Sequence, residues 1–195
     1  MESMNLFEND SAAPKDNLIH YQGELGDFWY DPREFKLEHF GRECLHYIGT
    51  RKEVRLPQGC VSTRYMFFRS ELPEGFKLID FDTSEVVDMS YMFCSCKIHE
   101  GFSLGARFNT SNVKNMSFMF SNCKIPSNFS LGDKFGTSKV KDMSHMFSKC
   151  EFPTGFSLGT GFDTSNVTDM NSMFCRCKLP SGFTLGNKFD TSNVT

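Results

Sequence analysis

From Phe81 onward the chain repeats itself every 27 residues without an insertion. FDTSEVVDMSYMFCSC begins at Phe81, FNTSNVKNMSFMFSNC at Phe108, FGTSKVKDMSHMFSKC at Phe135 and FDTSNVTDMNSMFCRC at Phe162, and FDTSNVT restarts at Phe189. The other landmarks keep the step: Val86, Val113, Val140, Val167 and Val194; Met89, Met116, Met143 and Met170; Phe93, Phe120, Phe147 and Phe174; Cys96, Cys123, Cys150 and Cys177. A second motif lies between them, GFSLGARF at Gly101, NFSLGDKF at Asn128, GFSLGTGF at Gly155 and GFTLGNKF at Gly182. A fixed period of this size marks a stacked array, in which no unit buries its apolar face alone and neighbours complete the core. The Met and Phe files are that core, and they account for a content of 22 Phe and 11 Met.

Within one unit, G-F-x-L-G and F-x-T-S-x-V alternate apolar and polar residues, which predicts strands. Met-x-x-Met-Phe-x-x-Cys has the i, i+3, i+4 spacing that gathers side chains on one face of a helical turn. Each coil therefore reads as strand, turn, strand and short helix, and advances by roughly the 4.8 Å between paired strands. The Thr and Ser of T-S-x-V, such as Thr110 and Ser111, are expected to bond backbone at the corners. M-F-x-x-C together with F-D-T-S-N-V-x-x-M-S-x-M-F resembles the BspA-like bacterial leucine-rich-repeat proteins over residues 81–195. That resemblance implies a right-handed leucine-rich-repeat solenoid and, in many members, a role in bacterial surface adhesion. The expected fold is a leucine-rich-repeat-like solenoid of β-strands and short helical turns in 27-residue coils, with a small mainly-β N-terminal cap.

Residues 1–17 are polar and read as a flexible arm. Residues 18–53 hold Trp29, three of the five Tyr and turn signals at Gly23, Gly26 and Asp31-Pro32, which predicts a small antiparallel sheet sealing the array. The array runs from 54 to 195. Residues 54–80 form an atypical first coil, with Tyr65, Met66 and Phe67 echoing Tyr91, Met92 and Phe93 at a step of 26. Full repeats occupy 81–107, 108–134, 135–161 and 162–188, and 189–195 is a partial one. Because the chain stops within a unit, either the array is shortened or another chain covers that end, which admits end-to-end self-association at an uncapped C-terminus.

Charge narrows the partners. With 21 basic and 24 acidic side chains and a net charge of -3, the uniform basic field that grips nucleic acid or anionic lipid is missing. No window approaches 18 uncharged apolar residues, and the first 15 residues lack the basic and apolar regions of a secretory signal, so a cytoplasmic protein without a membrane partner is expected.

The cysteine spacing favours structure over chemistry. Cys96, Cys123, Cys150 and Cys177 read as a thiol ladder whose members pack on one another and bond nearby carbonyls. Cys94 and Cys175 read as exposed free thiols, and Cys44 and Cys60 as core of the cap. Cys94, Cys96 and His99 supply half a zinc site with no fourth ligand in view, so no metal and no cofactor is expected. Phosphate-binding, nucleophile-elbow and metalloprotease motifs are missing, and the five His, at 20, 39, 46, 99 and 145, are scattered. The chain is therefore read as not an enzyme, although His20, His39, His46, Asp27 and Cys44 would be the residues of a site in the cap.

What varies on the repeated frame is where recognition is written. Between the two Met of each unit stand Tyr91, Phe118, His145 and Ser172, and Tyr65 extends this file into the atypical coil. The file is placed on one helical face as a row of anchors for a partner. Two further variable files follow L-G, from Ala106 and Arg107 to Asn187 and Lys188, and surround Val, from Glu85 and Asp88 to Thr168 and Asp169. These features predict a non-catalytic protein-binding module, an intracellular binder or inhibitor that occludes another protein. A surface adhesin fragment of the BspA-like type is the alternative, and an enzyme with its site in the cap a further one.

Overall fold

The computed structural model describes residues 17–49 and 51–195, so the arm expected at 1–17 lies almost wholly outside the described residues. Two hairpins come first. β1 (Ile19–Gly23) pairs antiparallel with β2 (Gly26–Tyr30), and β3 (Phe35–His39) with β4 (Glu43–Tyr47). Their alternation turns Tyr21, Phe28, Tyr30, Phe35, Leu45 and Tyr47 inward around Leu25. Asp31 stops β2 by accepting the amide of Arg33 on its carboxylate and those of Glu34 and Phe35 on its carbonyl. The two-stranded parallel pair β5 (Glu53–Val54) and β6 (Lys77–Leu78) follows.

The hairpins close against the first unit through backbone contact. Val61 N donates to Leu25 O, Tyr47 N to Met66 O, and Gly26 bridges Cys60. Gly26 sits at φ 122°, and a Cβ there would lie 2.1 Å from the Gly59 carbonyl oxygen, so this approach requires glycine. Arg64, 3% exposed, locks the junction by donating to the Glu43 carbonyl and pairing with Glu24.

Beyond that junction the units lie side by side, with like residues in register. One line of parallel bridges joins Ser62, Asp88, Asn115, Asp142 and Asp169 in turn; a second joins Glu71 to Lys97, and Lys124 to Glu151 to Lys178. Phe67, Phe93, Phe120, Phe147 and Phe174 stack ring on ring at 5.2–5.8 Å. Val86, Met89, Met92 and their counterparts at 113, 116, 119, 140, 143 and 146 are fully buried beside them.

The expectation of a leucine-rich-repeat-like solenoid with helical turns is overturned. Among the described residues, regular structure consists of three short two-stranded pairs, two antiparallel and one parallel, and no helix forms in any repeat. The physical reason lies in where the amides go. Met89, Tyr91, Phe93 and Ser95 donate to carbonyls of the next unit, those of Asn115, Ser117, Met119 and Ser121, while Met92, Cys94 and Cys96 close turns onto Met89, Tyr91 and Phe93. A helix needs every amide to return to the carbonyl four residues back, and alternate amides here are committed to the neighbour. Consecutive tight turns thus produce the same apolar spacing that a helix would. The expected strands G-F-x-L-G and F-x-T-S-x-V also form no ladder, although Phe and Leu of the first are buried at 101–105 and 155–159 and Phe, Thr and Val of the second at 81–86, 108–113 and 135–140.

Buried threonines hold the units where strands do not. Thr83, Thr110, Thr137 and Thr164 donate to the carbonyls of Asn109, Gly136, Asp163 and Asp190, each 26 residues on. Thr83, Thr137 and Thr164 also accept the amide of that same residue at 2.7–2.8 Å. Thr137→Val keeps the shape and strands both backbone groups of Asp163. It should cost about 1–3 kcal/mol in urea unfolding, the penalty of buried unpaired polar groups, while exposed Ser138→Ala should leave the midpoint unchanged.

Candidate functional site

The positions between the paired Met share an unusual backbone. Tyr65, Tyr91, Phe118, His145 and Ser172 all have φ between 55° and 59°, the left-handed region that side chains enter at a cost. All but Tyr65 follow Asx turns in which Asp88, Asn115, Asp142 and Asp169 accept the amide two residues on at 2.8–2.9 Å. The file is therefore no helical face. It is the outer corner of successive tight turns, half-buried along its length.

The rings form one stack. Tyr65 lies 4.6 Å from Tyr91, Tyr91 4.4 Å from Phe118 and Phe118 4.3 Å from His145, at interplanar angles of 14°, 7° and 14°. Ser172 ends it. At the other end Phe40, from the β3–β4 turn, packs on Tyr65 at 5.6 Å and Phe68 at 5.3 Å, with Arg69 over Phe68. Phe40 and Phe68 thus join a row that sequence reasoning confined to the five predicted positions. Phe68 occupies the place of Cys94 in the echo of the first repeat, a visible signal; Phe40 comes from a separate element and has none.

Charged files border the row. Asp88, Asn115, Asp142 and Asp169 stand three residues before each row position and are bridged unit to unit, and Arg69, Ser95, Asn122, Lys149 and Arg176 stand four residues after it, again at φ 55–60°. Burial pushes the Tyr91 phenol above its ordinary value, with the Asp142 carboxylate acting in the same direction. The Cys94 thiol, raised chiefly by burial, is opposed by Arg69 and Lys149. The basic file was visible as a 27-residue column preceding each ladder cysteine and was not singled out.

The thiols divide by burial. Cys123, Cys150 and Cys177 donate to the carbonyls of Phe93, Phe120 and Phe147, each 30 residues back, at 2.8–3.0 Å. Cys96, the first of the file, is buried. Burial raises all four, Cys150 to about 12. Cys94, expected on the surface, is 7% exposed beside Ser95 and beside Ser121 of the adjacent unit, whereas Cys175, at the same place in its own unit, is exposed as expected.

The cap residues do not converge. His20 bonds Asp27 at 2.7 Å on the outer face of the first hairpin, against Trp29. His46 Nδ1 donates to Tyr65 O at 2.9 Å, and burial pushes the Cys44 thiol up to about 12, away from nucleophilic use. Among the described residues no group of three or more His, Cys, Asp or Glu is placed to hold a metal ion, and no helix is long and apolar enough to cross a membrane.

Comparison with protein families matches residues 61–175 and 156–195 to the family described as Mycoplasma protein of unknown function, DUF285. The chain belongs to this family. Its relation to BspA-like repeat proteins is general, without a direct leucine-rich-repeat assignment. Neither the curated proteins nor the solved structures compared with this DUF285 chain include a match.

Two outcomes follow from these environments. Brief alkylation of the native protein, mapped by mass spectrometry, should label Cys175 well before Cys96, Cys123 or Cys150, since the buried thiols are held as thiols; rapid labelling of Cys123 would contradict the ladder. Burial also lowers His46 below its ordinary value. The unfolded chain then binds the extra proton first, so stability is full above about pH 6.5 and declines as pH falls below it. In the comparison of urea midpoints between about pH 7.5 and pH 5.5, His46→Gln should lose less stability than the parent.

Proposed function

We propose that this protein is a non-catalytic binding module that engages another protein through the aromatic row and its two charged borders. The observation carrying this reading is the row itself: Tyr65, Tyr91, Phe118 and His145 held at one pitch, with rotamers fixed by stacking. A surface ordered before docking loses little conformational entropy on binding, so modest contacts summed over several units give useful affinity. Aromatic side chains beside a polar border also match the composition of binding hot spots. Eight free thiols fit a reducing compartment, which supports a cytoplasmic binder, one that would inhibit its partner by occlusion.

A second reading, a fragment of a BspA-like surface adhesin, is favoured by the family match and by M-F-x-x-C in every full repeat. A longer gene carrying a leader or anchor would favour it over the first.

Affinity purification from extract of the native host should retain a partner on the parent protein and lose it with Tyr91, Phe118 and His145 changed together to Ala. Ser111→Ala, on an exposed corner away from the row, should retain it. A melting curve establishes that the triple variant is folded. Retention of the same partner by the folded triple variant overturns the assignment of this face.

A further inference from the structure

The row offers ring edges, because its faces are used internally. At 4.3–4.6 Å and near-parallel, Tyr91 and Phe118 have both faces covered by neighbours. Nucleobases bind aromatic platforms by covering a face, so the inner rings cannot serve them. Edge-on contact with a flat protein surface is what remains.

Pitch then restricts which surface can follow the row. Same-face side chains of an extended segment recur at about 6.6–6.8 Å, and a helix presents a turn about every 5.4 Å. Either falls out of step with these rings within a few rungs. A second row of identical pitch stays in step over its whole length.

Charge decides the orientation. In every unit the acidic file comes three residues before the row and the basic file four residues after it, so Asp142 and Asp169 precede, and Lys149 and Arg176 follow, their row residues along each coil, and both files are tied unit to unit by backbone bonds. A twofold axis parallel to the row lays each acidic file against the partner's basic file, with both stacks pointing the same way. An axis across the row would set acid on acid and base on base.

We propose that two copies of this chain dock face to face along Tyr65, Tyr91, Phe118 and His145, side by side and in the same direction. This rests on the protein-binding reading of the face and names its partner as a second copy. Five rungs at strand spacing, three files wide, bury a total of about 700 Å², below the roughly 1,200 Å² of stable specific interfaces. The association is therefore reversible and emerges with concentration.

Sedimentation equilibrium of the full chain from micromolar to near-millimolar concentration tests this. The weight-average mass should climb toward twice that of the chain. Asp169→Lys and Arg176→Asp, both at exposed positions, should each weaken association by about tenfold, the effect of turning two facing pairs repulsive. An equimolar mixture of the two variants restores attraction at both pairs and should recover the parental dimer. Trp29 fluorescence and urea midpoints check that each variant is folded. A parent protein that stays monomeric, or charge variants that leave its association unchanged, overturns the inference. If the monomeric parent still retains an extract partner that the triple alanine variant loses, only the choice of a second copy fails; if it retains none, the binding reading fails as well.

Discussion

Everything in the repeat region depends on hydrogen bonds that leave one unit and end on the next. Alternate amides from Met89 to Ser95 reach the neighbouring unit, and those between them close turns at home. Buried threonines add side-chain links in the same direction. No unit can satisfy these groups alone, and an unpaired buried amide or carbonyl is costly. Register is fixed by the same bonds: a slip of one residue would turn amides meant for the neighbour back on their own turn and Met side chains out to water.

The surface row inherits its geometry from this arrangement. Because the turn between the paired Met recurs at the same place in every unit, its corner residue always emerges with the same backbone and direction. Stacking of units then sets rings at the spacing of the backbone behind them. The same logic arranges the Phe file inside and the aspartate and basic files outside. One backbone pattern thus produces the core and the candidate site together.

The period, the files and the buried Met and Phe residues are legible in the sequence, since a residue recurring at one place in every unit must have one environment. The helical reading failed for a reason visible in retrospect. Met89, Met92 and Phe93 have helical spacing, but Asp88-Met-Ser90 and its counterparts at Asn115, Asp142 and Asp169 are Asx-turn sequences, in which the side chain competes for an amide that a helix would need. Spacing reports which residues face inward; the capping side chain reports how the chain gets them there. Phe40 was not legible at all, because its place beside Tyr65 arises from a hairpin docking on the array. Cys94 was misplaced because cover from the adjacent unit, where Ser121 stands at the same position, decides whether a thiol of this file is shielded, and the sequence of one unit does not report that cover.

The conformation of the row separates structural need from use. A non-glycine residue in the left-handed region costs about 1 kcal/mol or more, and glycine would occupy Tyr65, Tyr91, Phe118 and His145 without that cost. Stacked aromatic pairs return about 0.5–1.5 kcal/mol each beyond burial, and three pairs span these four positions, so the rings roughly offset the strain they incur. The turn itself does not require rings at these positions. At Ser172 the strain is present with no stacked ring to offset it, so the turn forms without an aromatic side chain. The fold therefore sets these side chains at one pitch on its surface without the turn itself dictating that they be rings.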